Sequence, residues 1–163
     1  MCTPLEIVEK AIESFNEDES GLHLIKHNLS ERSICSHLAY HVKNKLSNTN
    51  YSGYFADVEY NRNGQDIKRI NDTSGPITVD LIVHKHGKNP EYNLICIEMK
   101  KSTSNKAGIS ADEERLRCLT CQTNDYQYKL GVMVIVDEAN IELKIKSIAE
   151  DGATKNYCNS MNK

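Results

Sequence analysis

The stretch Pro76–Lys101, PITVDLIVHKHGKNPEYNLICIEMKK, constrains the fold more than any other part of the chain. Ile77 to His84 is rich in Val and Ile, Gly87 to Asn93 carries turn residues, and Leu94 to Met99 is apolar again. This pattern predicts two strands joined as a hairpin. Three residues that a core would reject interrupt it: Asp80, Glu98 and Lys100. The midpoint of Asp80 and Glu98 is residue 89, inside the turn. A symmetric hairpin therefore sets the two carboxylates opposite each other, with Cβ atoms about 4.5–5.5 Å apart. Glu98 and Lys100 are two apart and share one face of their strand. Like charges placed opposite each other destabilise a sheet. A divalent cation such as Mg²⁺, which takes one or two carboxylates, removes that repulsion.

The spacing of Asp80, seventeen residues and then Glu98-Met99-Lys100 resembles the signature of the PD-(D/E)XK nuclease superfamily, which includes many restriction endonucleases and DNA-repair nucleases. The proline normally found before the Asp is absent; Val79 stands there and the nearest proline is Pro76. The resemblance implies an α/β fold with a restriction-endonuclease-like α-β-β-β-α-β core, a mixed central sheet flanked by helices. It covers residues 30 to 137 of a single domain spanning 1–163, with an N-terminal helix at 3–16 and a C-terminal strand and polar tail over 140–163. By the same resemblance Asp80 and Glu98 hold Mg²⁺ or Mn²⁺ together with the Met99 carbonyl. Lys100 then orients or deprotonates the attacking water and offsets transition-state charge.

The rest of the chain supplies the elements this core needs. Thr3 as N-cap and Pro4 at the first helical position precede Leu5, Val8, Ile12 and Phe15 at helical spacing. Leu22, Leu24 and Ile25 read as a connecting segment packed on the core. A second helix runs from Glu31 to Leu46 behind Ser30 as N-cap, with Ile34, Leu38, Val42 and Leu46 forming its apolar stripe. Glu31 lies on the buried side of that stripe. The resemblance makes it a further acid of the metal site; the plain alternative is a charge that complements the helix N-terminus. Ser33, Ser36 and His37 read as helix-surface residues.

Tyr54 to Arg62 alternates as a half-buried strand, and its Glu59 is an accessory acid or an exposed carboxylate. Asn63 to Gly75 is a polar loop whose Lys68 and Arg69 are candidates for phosphate contact. After the hairpin, Ser110 and Glu113 have the form of a capping box opening a third helix, with Leu116, Leu119 and Thr120 inward. Lys101 and Arg115 are further candidates for nucleic-acid contact, although Arg115 also has Asp112 and Glu113 as neighbours to pair with. Gln122 and Tyr126 resemble a late motif of the RecB-like branch of the superfamily. Tyr128 to Val136 is a central strand. Ile141, Leu143 and Ile145 suggest one more, before a polar tail from Asp151.

Composition narrows the partners. The net charge of −3 is not the basic footprint of a high-affinity nucleic-acid binder, so attraction must be local. No apolar run approaches a membrane span, and the N-terminus lacks the pattern of a signal peptide, which predicts a cytoplasmic protein. The six cysteines read as reduced thiols, since Cys118 and Cys121 have no second ligand pair at zinc-finger spacing. No glycine-rich phosphate loop is present to support a nucleotide-binding reading. The expected activity is metal-dependent phosphodiester hydrolysis on nucleic acid, DNA before RNA, by a monomer or a homodimer. A non-catalytic binding or regulatory module on the same fold is the alternative.

Overall fold

The computed structural model describes residues 1–63, 66–67, 76–87 and 89–157. Helices α1 (Pro4–Asn16), α2 (Glu19–Lys26) and α3 (Glu31–Leu46) precede strand β1 (Phe55–Tyr60). A short pair follows, β2 (Arg62–Asn63) and β3 (Asp66–Ile67), so the strand expected to reach Arg62 ends at Tyr60 and part of the stretch read as loop is strand. Then come β4 (Val79–His84), a 3₁₀ turn at Pro90–Tyr92, β5 (Ile95–Lys101), α4 (Lys106–Thr120), β6 (Leu130–Asp137), β7 (Glu142–Glu150) and β8 (Ala153–Asn156). Six strands form one mixed sheet in the order β1-β4-β5-β6-β7-β8. Only β5 and β6 run parallel, and α4 makes the crossover that a parallel pair requires. One sheet face packs on α1 and α3 through Leu81, Val83, Ile97, Met99 and Val132; the other packs on α4 through Ile82, Cys96 and Met133.

Local chemistry explains most element ends. Thr3 caps α1 and Glu6 returns the bond to the Thr3 N–H, completing a capping box. Ser30 caps α3, whose bounds match the sequence expectation. The expected connecting segment at 22–25 is instead part of α2, because the Asp18 carboxylate accepts the Ser20 N–H and starts a helix there. The expected capping box at Ser110 is also corrected. Asn105 caps α4 through the Gly108 N–H, so Ser110 lies inside the helix. Glu113 reaches across to Ser147 Oγ, 2.6 Å away, and to Lys146. The expected polar tail is partly strand: Asp151 and Gly152 both adopt positive φ and turn the chain from β7 into β8. Among the described residues no helix is long and apolar enough to cross a membrane.

Gly131 sets how closely α4 lies on the sheet. A Cβ at this position would sit 3.1 Å from Thr120 Cγ2 and 3.3 Å from the Cβ atoms of Leu116 and Ala149. Gly131→Val is therefore expected to destabilise the protein by about 1–3 kcal/mol through overpacking, read as a lowered midpoint in urea unfolding.

Candidate active site

The β4–β5 register pairs Leu81 with Ile97, Ile82 with Cys96 and Val83 with Ile95. The same register continued by one residue sets Asp80 against Glu98, as the symmetric hairpin predicts. At this point a side chain takes over from the backbone ladder: Asp80 Oδ2 accepts the Met99 N–H at 2.8 Å. Glu98 is 1% exposed and sits opposite Asp80 in the continued register. Burial first, and then the charge of Asp80, pushes the Glu98 pKa well above its ordinary value, with Arg115 opposing. Burial likewise raises Asp80, against the Met99 N–H. Two such carboxyls titrate as one coupled unit.

Lys100 projects from the same face of β5 as Glu98. Its Nζ lies 3.2 Å from Asp112 Oδ2 and 3.8 Å from Glu31 Oε2. Burial alone would lower its pKa, but the carboxylates of Asp112, Glu31 and Asp80 outweigh it and hold the ammonium above its usual value. The three carboxylates therefore favour the charged form of Lys100. Glu31, on the first turn of α3, reaches the end of β5, where its Oε1 accepts the Lys101 N–H at 3.0 Å.

The sequence reading missed Asp112. It is 5% exposed on α4, 3.2 Å from Arg115 through Oδ1, and its Oδ2 lies near Lys100 but outside hydrogen-bonding geometry. Its signal was the i,i+3 spacing to Arg115, which reads equally well as a solvated helix face. Of the two expectations for Arg115, phosphate contact or pairing with a neighbouring acid, the structure shows the Asp112 pair and adds a bond from its Nη1 to Glu98 Oε1 at 2.9 Å. Lys101 was also expected at nucleic acid. Its ammonium is engaged with Asn28 Oδ1 and lies 3.9 Å from Glu138.

Other candidates fall outside this cluster. The β1 register would set Glu59 opposite Asp80, but Glu59 adopts φ 51° and pairs with Arg32. Gln122 donates its amide to the Thr120 and Tyr128 carbonyls, and Tyr126 is buried among Cys96, Leu119 and Tyr128. Both follow the C-terminus of α4, and the Tyr126 carbonyl accepts from Asn93, just before the end of β5 opposite Lys100. Lys68 and Arg69 lie outside the described residues.

The donor set of Asp80 and Glu98 suits a hard divalent cation: carboxylate oxygens set against each other by the strand register, beside the buried Asp112 Oδ2, whose one near partner among the described residues is the Lys100 ammonium. The groups of three ligand-type side chains whose donor atoms lie within 4.8 Å of one another are elsewhere among the described residues. They are Asp18–His37–His41 and Asp57–His84–His86, and neither was foreseen. His37, read as a surface residue, is half-buried in the first of them.

Comparison with protein-family models, curated proteins and solved structures finds no match. The chemistry of the site therefore rests on its own residues.

Proposed function

We propose that the chain is a metal-dependent nuclease of the PD-(D/E)XK type, hydrolysing phosphodiester bonds in nucleic acid, DNA before RNA, with Mg²⁺ or Mn²⁺. The observation that carries this reading is the register that sets Asp80 against Glu98, with Lys100 two residues on and facing the same way. The element order α3-β1-β4-β5-α4-β6 supports it, being that of a restriction-endonuclease-like core.

Asp80 and Glu98 would hold the cation, with the Met99 carbonyl beside them and Glu31 on the rim. A bound ion would supply Lewis acidity at the phosphoryl oxygens and lower the pKa of a coordinated water. Lys100, beside Asp112 and Glu31, would orient the attacking water and offset charge developing on the phosphate. Asp112 anchors both neighbouring cations, and Arg115 balances Glu98. Because the Glu98 pKa is raised, ligation needs its proton removed, so activity should increase with pH.

One observation favours the non-catalytic reading. The Arg115–Glu98 ion pair already compensates the buried charge without a metal. Incubation with supercoiled, linear and single-stranded DNA and with RNA, in Mg²⁺, Mn²⁺ or EDTA, separates the two. The expected result is cleavage of at least one substrate with metal and none in EDTA. Intact substrates under every condition would reject the nuclease.

A further inference from the structure

Four of the six histidines belong to the two Asp–His–His groups, and the one on the helices is the more firmly built. His37 and His41 are four apart on α3 and share one face. Asp18 caps α2 with Oδ1, which accepts the Ser20 N–H at 2.9 Å. Its other oxygen, Oδ2, lies 2.6 Å from His37 Nε2 and 3.1 Å from His41 Nε2. Phe15 packs edge-on against both rings, with centroids 5.5 and 6.0 Å away. Gly21 completes the cradle, since a Cβ there would sit 3.2 Å from His37 Cδ2 and 3.1 Å from Phe15 Cζ. Two imidazole nitrogens thus converge on one carboxylate oxygen, their rings held by packing.

We infer that Asp18, His37 and His41 form a Zn²⁺ site that clips the α1–α2 junction to the middle of α3. Imidazole and carboxylate donors suit this ion, and three protein ligands leave a fourth position for water. Tetrahedral Zn²⁺ with bonds of about 2.0–2.2 Å separates its ligand atoms by roughly 3.3–3.5 Å, so the two present contacts need open by less than about 1 Å. Mg²⁺ and Ca²⁺ prefer six or more oxygens and do not fit this set. This site is separate from Asp80 and Glu98 and does not depend on any cleavage activity.

The test uses the full chain, stripped with EDTA and with its cysteines alkylated, carrying His86→Gln to break the Asp57–His84–His86 group. Calorimetric titration with Zn²⁺ is expected to show a saturable equivalent that persists when Asp80→Asn removes the acid pair as a competing site, and Co²⁺ in its place the visible bands of a four-coordinate ion. Adding His37→Gln or His41→Gln should weaken Zn²⁺ at least about tenfold, since even outer-shell losses cost that much. Adding Asp80→Asn should leave it unchanged. If a histidine variant loses its native melting transition, Asp18→Ser replaces it, because Ser removes the ligand but keeps an N-cap. Absence of saturable binding, or equal affinity with and without His37 and His41 (or Asp18), would overturn the assignment.

Discussion

Lys100→Ala and Glu98→Gln are each expected to lower metal-dependent cleavage by about 10²–10³-fold, the scale of losing one preorganised group that stabilises transition-state charge. Their effects on stability should have opposite signs. Lys100 is the ammonium nearest the buried Asp112 Oδ2, so its truncation strands that oxygen and should cost about 1–3 kcal/mol. Glu98→Gln removes a buried charge without changing shape, and Arg115 keeps Asp112 as a partner 3.2 Å away. That variant should be as stable as the parent at neutral pH, or more so. Loss of activity in both, with stability moving in opposite directions, cannot be put down to unfolding. Steady-state cleavage rates beside urea midpoints give the comparison. Two variants that cleave at the parent rate would remove Glu98 and Lys100 from the chemistry.

The parts of the fold legible in the sequence are those dictated by local pattern. The four-residue recurrence of Ile34, Leu38, Val42 and Leu46 behind Ser30 gave α3 its bounds. The symmetry of the hairpin about residue 89 gave the Asp80–Glu98 register, because strand pairing leaves little choice once one face is buried. What stayed hidden depends on how distant elements meet. Asp112 reads as part of a solvated Ala-Asp-Glu-Glu-Arg face until α4 folds back over β5 and buries it. Arg115 had three candidate partners in the sequence, Asp112, Glu113 and phosphate, and the crossover adds a fourth, Glu98. Asp18, His37 and His41 come from two helices, and no spacing rule connects residue 18 to 37. Two misses were local and avoidable. Asp151-Gly152 is a strong hairpin signal, and Asn105 competes with Ser110 as a cap for α4.

The charge at the site gives a test that needs no substrate. In EDTA, Glu98→Gln should become progressively more stable than the parent as pH rises from near 4.5. A carboxyl whose folded pKa lies above its unfolded value contributes stability below the unfolded pKa, while protonated in both states. That contribution is lost as pH rises toward the folded pKa. Glu98 is such a group, starting from an ordinary value of 4.5, and Asp80 is another, starting from 3.8. Groups with lowered pKa values, such as Asp18, act in the opposite sense, but they are common to parent and variant and cancel in the difference. Asp80→Asn should behave alike, since its side-chain oxygen can still accept the Met99 N–H. Millimolar Mn²⁺ should reverse the order. Binding to the folded parent adds RT ln(1 + [L]/Kd), about 1.4 kcal/mol at ten times Kd. For a chain of this length that is a rise of roughly 3–5 °C in Tm. Both variants, short of one carboxylate, should respond much less. Thermal scans across pH 4–8, in EDTA and in Mn²⁺, measure all of these effects. A Glu98→Gln variant that melts below the parent at every pH, beside a parent indifferent to Mn²⁺, would make the acid pair structural and the metal site void.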